Sequence, residues 1–181
     1  MRPLISNLFM SLDGVVDSPG EWSLDYWNDD IAGVMADATG GADALLLGRV
    51  TYTEFEPAWS GRSTADDPGA EFFNSVRKHV ASTTLDTLTW NNSTLLEGEV
   101  TAAVAALKAE DGGAIITSGS GTLVRTLLQA GLVDELRLLV YPLVVGTGKR
   151  LCEGDDGTIP LRLLHSRTFD NGVTYAVYSG A

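Results

Sequence analysis

Two glycine turns carry the residues best suited to hold a phosphorylated ligand. Ser118-Gly119-Ser120-Gly121 closes the apolar run Ala114–Thr117 and opens a helical pattern. Gly119 and Gly121 permit a sharp bend and a close ligand approach. The helix that follows would aim free N–H groups and a partial positive charge at an anion, most often a phosphate. Gly48-Arg49-Val50-Thr51-Tyr52 repeats the arrangement after the apolar run 43–47. There Arg49 adds a planar, permanent cation suited to phosphate, and Thr51 adds a hydroxyl. Either turn alone could be only a strand-to-helix connection. Two of them fit a ligand with separated phosphates, such as a dinucleotide. On the acidic side, Asp13 in Ser11-Leu12-Asp13-Gly14 is the best single candidate for a substrate-facing carboxylate, and a carboxylate that caps its own turn is the equal alternative. Trp22, Trp27 and Trp59 fall in or near loop regions and could line an aromatic pocket for a planar substrate.

The elements that must position these residues follow from periodicity and turn chemistry. Residues 3–10 and 43–47 read as strands, with a helix over Asp29–Ala38 between them. A helix from about Arg49, a polar loop over 57–69, a helix over 69–76 and a strand over 78–82 come next. Short strands are expected near 85–90 and 94–96, then a helix over 99–109, the strand 114–117, a helix over 121–130 and the strand 134–141. Asp170-Asn171-Gly172 between two β-rich runs, about 160–169 and 173–179, signals a terminal hairpin. Alternating strands and helices with a closing hairpin predict an α/β domain, a mixed and mostly parallel central sheet flanked by helices.

Composition narrows the function. The chain has 181 residues, 44% hydrophobic and 20% charged, so one domain over 1–181 is expected. A net charge of −12 disfavours nucleic acid and anionic membranes as partners. An anion must then be met by local cations among the 12 available, such as Arg49, Arg125 and Lys149 with Arg150. No Lys or Arg occurs between Arg2 and Arg49, whereas Asp13, Asp17, Glu21, Asp25, Asp29, Asp30 and Asp37 all fall there. The single cysteine, Cys152, allows no internal disulfide and no cysteine-based zinc site. No metal site is expected. The absence of a membrane-length apolar run or a signal-peptide pattern gives the cytoplasm as the expected compartment.

With these residues placed, the chain resembles the dihydrofolate reductase-like superfamily, and within it the reductase domain of the bifunctional deaminase–reductase of riboflavin synthesis. The resemblance rests on Ser11-Leu12-Asp13-Gly14, Gly48-Arg49-x-Thr51-Tyr52, Ser82-x-Thr84, the 119–121 turn, Gly131-Leu132-Val133-Asp134-Glu135-Leu136, and Pro142 with Gly146-Thr147-Gly148. It implies a three-layer fold and an NADPH-dependent reductase of a small heterocycle. A dihydrofolate or pterin reductase, and a binding protein of this fold without activity, are the alternatives. By the same resemblance, Arg49, Ser82 and Thr83 would meet the adenosine end of NADPH. Gly48, Thr51, Gly119, Ser120, Gly121, Thr122 and Leu123 would hold the pyrophosphate. Ser11, Asp13, Gly14 and Trp22 would face nicotinamide and substrate. Ser120 stands where the family often carries a second glycine. A homodimer is also implied, with the apolar run 136–145 as a surface that could reach a partner.

Overall fold

The computed structural model describes residues 1–153 and 157–180. Its centre is an eight-stranded sheet in the order β4-β3-β2-β5-β1-β6-β8-β7. The strands are β1 (Leu4–Ser11), β2 (Ala42–Gly48), β3 (Arg77–Ala81), β4 (Ser93–Leu95), β5 (Ala114–Ser118), β6 (Glu135–Tyr141), β7 (Leu161–Thr168) and β8 (Thr174–Gly180). The first six run parallel, β8 pairs antiparallel with β6, and β7 pairs antiparallel with β8 at the edge. The hairpin signalled by Asn171-Gly172 is therefore present, with Gly172 at φ 84°.

Among the described residues, five α-helices cover the two faces: α1 (Asp29–Thr39), α2 (Arg49–Trp59), α3 (Ala70–Ser75), α4 (Val100–Ala109) and α5 (Gly121–Gln129). On one face, α4 and α5 bury Val104, Leu107, Leu123, Val124 and Leu127 against Leu4, Leu8, Leu46 and Ile115. Two separate clusters form on the other face. Ile31 of α1 packs with Phe9, Leu139 and Tyr141, over β1 and β6. Tyr52 of α2 and Phe73 of α3 pack with Leu45, Leu47 and Val80, over β2 and β3. Because α1 leans one way and α2 with α3 the other, a gap remains between them above the middle of the sheet.

Three sequence expectations change. The segment 85–90 is not a strand. Leu85, Leu88 and Trp90 are buried or half-buried, but they pack onto the α2–α3 cluster from an irregular chain. Helix α2 continues through Pro57 to Trp59, so the polar loop starts later than expected. The Pro57 ring replaces one helical hydrogen bond near an end that tertiary contacts already hold, since Trp59 stacks on Phe73 at 4.2 Å. Of the apolar run 136–145, only the part beyond β6 lies open to a partner, with Val144 exposed. Its strand part, β6, lies between β1 and β8, so its length reflects burial on both sides within one chain.

The irregular segment also anchors α2. The backbone N–H of Trp90 donates to the Tyr52 hydroxyl at 3.0 Å inside the core. Tyr52→Phe would leave that N–H without an acceptor and should cost about 1–3 kcal/mol of unfolding free energy. Urea unfolding measures this, and a variant as stable as the parent would show that the anchor is dispensable.

Candidate functional site: a cleft beneath two helix N-termini

The gap between α1 and α2 is a cleft of about 830 Å³. Asn7 and Phe9 of β1 floor it, Ala32 and Met35 of α1 form one wall, and Phe55 and Trp59 of α2 form the other. Its mouth lies at the carboxyl ends of the parallel strands, where open α/β sheets bind ligands. There the two glycine turns meet. Both Gly48–Thr51 and Ser118–Leu123 line the cleft.

Hydrogen bonds join the turns directly. The Gly48 N–H donates to Ser120 Oγ at 2.9 Å, and the Ser120 N–H donates to Thr51 Oγ1 at 3.0 Å. Gly119 and Ser120 are both left-handed, at φ 69° and φ 59°. For Ser120 that conformation costs roughly 1–2 kcal/mol. Its two hydrogen bonds to the neighbouring turn offset the cost. A Cβ on Gly119 would lie 3.3 Å from Thr51 Cγ2, so the close pairing of the turns favours glycine there.

The helix ends show what this geometry leaves open. Helix α1 is capped by Asn28, which accepts from the Ile31 N–H, and α4 by Glu99, which accepts from Thr101 and Ala102. Helices α2 and α5 start at Gly48 and Ser120 with no side-chain cap, as does the short α3 at Gly69. The Ser120 hydroxyl that would normally cap α5 instead serves Gly48. The first-turn N–H groups of α2 and α5 therefore face the cleft mouth without an intrahelical acceptor. Arg49 and Lys149 are the two cations that line the cleft, and neither forms an ion pair among the described residues. Asp17, Glu54 and Asp67 also line it.

Not every candidate residue faces the cleft. The Ser11-Leu12-Asp13-Gly14 motif is a clamp. Ser11 Oγ donates to Asp13 Oδ1 at 2.7 Å and accepts from the Val15 N–H at 2.9 Å. The Asp13 carboxylate accepts from the amides of Val145 and Gly146, at 3.1 and 3.0 Å, and Arg150 Nε donates to the Asp13 carbonyl. Gly14, at φ 86°, makes the bend that allows this. Ser11, Asp13 and Gly14 thus pin the 143–151 segment to the chain after β1, and none of them lines the cleft. The effect on the cleft is indirect, because this segment carries Lys149, whose carbonyl accepts from Val16. Trp22 is likewise turned away: its Nε1 donates to the Asp17 carbonyl at 3.0 Å and its ring meets Tyr141 edge-on. Trp27 and Trp59 line the cleft in its place. Ser82 and Thr83 follow β3 beside Gly48, whose partner in the ladder is Ala81. Ser82 Oγ accepts from Thr84 and Leu85 and shapes that bend, just outside the cleft lining.

Sequence reasoning missed Asn7, Phe9 and Met35. Their spacing is ordinary core spacing, and only the divergence of α1 from α2 uncovers them.

A family assignment now joins the geometry. Residues 2–175 match the RibD C-terminal domain. The chain belongs to that family. The uncharacterized protein YyaP of Bacillus subtilis (strain 168) is 29% identical over 184 residues, covering 98% of this chain and 94% of YyaP. A putative riboflavin biosynthesis protein from Shewanella sp. PV-4 shares the fold at a TM-score of 0.80, with 18% identity and 99% of both chains covered. Dihydrofolate reductase from Enterococcus faecalis, solved with NADP(H), superposes at a TM-score of 0.65 with 15% identity, over 98% of this chain and 96% of that one. The fold is therefore dihydrofolate reductase-like, a mixed, mostly parallel sheet with a C-terminal antiparallel pair.

Two measurements probe the architecture of this RibD C-terminal domain. Ser120→Ala removes the acceptor for the Gly48 N–H while keeping the left-handed backbone. It should destabilise the fold by about 1–2 kcal/mol and speed exchange of the Gly48 amide. Unchanged exchange would mean that the turns are held together by packing alone. The Asp13 carboxyl is held well below its ordinary pKa, first by the Ser11 hydroxyl and then by the Val145 and Gly146 amides. A carboxylate depressed in the folded state adds stability above its unfolded pKa, near 3.9, and that stability drains as pH falls further. Asp13→Asn should therefore be less stable than the parent at pH 7, and the two urea midpoints should converge below about pH 4. Curves that stay parallel would assign the acid sensitivity to other groups.

Proposed function

We propose that this RibD C-terminal domain, residues 1–181, is an NADPH-dependent reductase of a small heterocycle. The observation that carries the reading is the pair of uncapped helix N-termini, hydrogen-bonded to each other at the mouth of one cleft. A dinucleotide presents phosphates at two separated points and matches that pair. In this reading the first-turn amides of α5, at Gly121, Thr122 and Leu123, take the pyrophosphate. The bends at Gly119 and Ser120 set their direction. Thr51 and Gly48 hold that bend in place. Arg49 meets the extra phosphate that distinguishes NADPH from NADH, with Ser82 and Thr83 beside the adenosine. The Enterococcus faecalis dihydrofolate reductase, a complex with NADP(H), supports the same cofactor class.

When bound, a reduced nicotinamide supplies the hydride, so the protein needs no nucleophile of its own. The chain's task is placement and the exclusion of water. Phe9, Met35 and Trp27 provide flat apolar surface around the reacting rings. The clamp at Asp13 is a positioning device, because it fixes the segment that brings Lys149 and Val16 to the cleft. The reading also carries a homodimer in the cytoplasm. Its support is β7, an edge strand exposed along its whole length, with Leu161, Leu163 and Leu164 uncovered.

Trp27 and Trp59 line the cleft, so cofactor binding should quench tryptophan fluorescence. NADPH should bind more tightly than NADH. Arg49→Ala should weaken NADPH by about 10–100-fold, the range of one charge-assisted contact of about 1.5–3 kcal/mol, and leave NADH unchanged. Equal binding of the two cofactors by the parent protein would remove Arg49 from this role.

A further inference from the structure

The carboxyl ends of the strands carry the cleft. At the other end of β3 and β4, beside the free edge of the sheet, lies a second cavity of about 490 Å³. Arg77, Lys78 and His79 line it together with Trp90, Asn92 and Ser93. None of its lining residues is acidic, in a chain with 24 Asp and Glu against 12 Lys and Arg. None of them lines the cleft. Lys78 and Ser93 are register partners in the parallel ladder, so their side chains share one face, and His79 and Thr94 share the other. The cavity therefore wraps the edge of the sheet.

Three groups here lack a partner that an anion would supply. Lys78 is fully buried, a rare state for a lysine without a carboxylate. Its Nζ donates to the Val76 and Asn91 carbonyls at 3.0 and 3.1 Å and lies 4.4 Å from the centre of the Trp90 ring. Carbonyl dipoles and a π face solvate the ammonium but bring no counter-charge. Burial pulls its pKa down to about 8, so the charge is still present at pH 7. The Ser93 hydroxyl is buried with no hydrogen-bond partner among the described residues. Native structures leave few such groups. The Arg77 guanidinium is exposed and forms neither an ion pair nor a hydrogen bond among the described residues. A phosphate-type oxyanion would accept from Ser93 Oγ, take the fork of Arg77 and balance Lys78. A cation would meet two like charges, and an apolar ligand would leave the Ser93 hydroxyl unpaired.

We propose that this cavity is an anion site, in which Arg77 and Ser93 bind a phosphate group and Lys78 is the buried counter-charge. The ligand is inorganic phosphate or a small phosphate monoester, which share the recognised chemistry. The site stands apart from the cofactor reading, because it uses no residue of the cleft.

The full chain, labelled with nitrogen-15, is titrated with potassium phosphate and, separately, with potassium chloride at the same ionic strength. Phosphate should shift the Asn91, Asn92 and Ser93 amides saturably, and chloride should not. Arg77→Gln should weaken phosphate by about tenfold or more, the loss of one charge-assisted contact. Arg49→Ala, which removes a cleft cation, should leave these shifts unchanged. Ser93→Ala gives a second readout. It removes the orphan hydroxyl, so in chloride it should unfold at no lower urea concentration than the parent, while the rise in midpoint that phosphate gives the parent should shrink. A Ser93→Ala variant that is less stable in chloride and keeps the full phosphate response would assign the hydroxyl to the core and count against the site. Glycerol 3-phosphate distinguishes the two sources: tighter binding than inorganic phosphate makes a monoester the ligand, and weaker or equal binding makes it the free ion. No phosphate-specific shift at residues 91–93, shifts at the cleft turns alone, or phosphate binding unchanged by Arg77→Gln would overturn the inference.

Discussion

The site depends on one exchange of hydrogen bonds between two turns that lie 69 to 72 residues apart in sequence: Gly48 N–H to Ser120 Oγ and Ser120 N–H to Thr51 Oγ1. This exchange fixes the distance between α2 and α5 at their N-termini. It also diverts the Ser120 hydroxyl away from its own helix, leaving the first turn of α5 open. A helix end without a cap is a small loss of stability, about 1 kcal/mol. Helices α1 and α4, which start elsewhere, avoid that loss with Asn28 and Glu99. Besides the short α3, the open ends are those of α2 and α5 at the cleft mouth, the place where a ligand would supply the missing acceptors.

The remainder of the fold keeps this junction in register. Parallel pairing of β2 with β5 and of β5 with β1 brings Gly48, Ser118 and Asn7 to neighbouring positions along one end of the sheet. The Tyr52–Trp90 hydrogen bond fixes α2 from below, and the α4–α5 cluster fixes α5 from the opposite face. The Asp13 clamp closes the remaining side by holding residues 143–151 against the chain that leaves β1. A cleft between diverging helices can then stay open because each helix has its own core cluster and does not need the other.

Much of the fold is legible in the sequence because local rules and tertiary demands agree there. Gly48-Arg49 and Gly119-Ser120-Gly121 each signal a strand-to-helix turn, and Asn171-Gly172 a hairpin, from backbone geometry that few other residues allow. The departures have a common cause. At 85–90 and at Pro57, tertiary packing overrides a local signal. Leu88 and Trp90 are buried, but against α2 and α3 and not in a ladder, and the periodicity of a short apolar run does not distinguish the two. The loop setting of Trp22 suggests a pocket wall, yet its ring lies on Tyr141, a partner 119 positions away that no local pattern reveals.

The sequence by itself determined residue chemistry and local geometry: which turns can bend back on themselves, where a guanidinium sits at a helix start, and that residues 3–48 carry no Lys or Arg. Tertiary structure decided everything that depends on distance between remote segments. It joined the two turns, turned Asp13 and Trp22 into supports, and exposed Asn7 at the floor of a cleft. The reason is physical. Backbone conformation is set within a few residues by sterics and hydrogen bonding, whereas a site is a meeting of side chains whose neighbours are chosen by the packing of whole helices on a sheet.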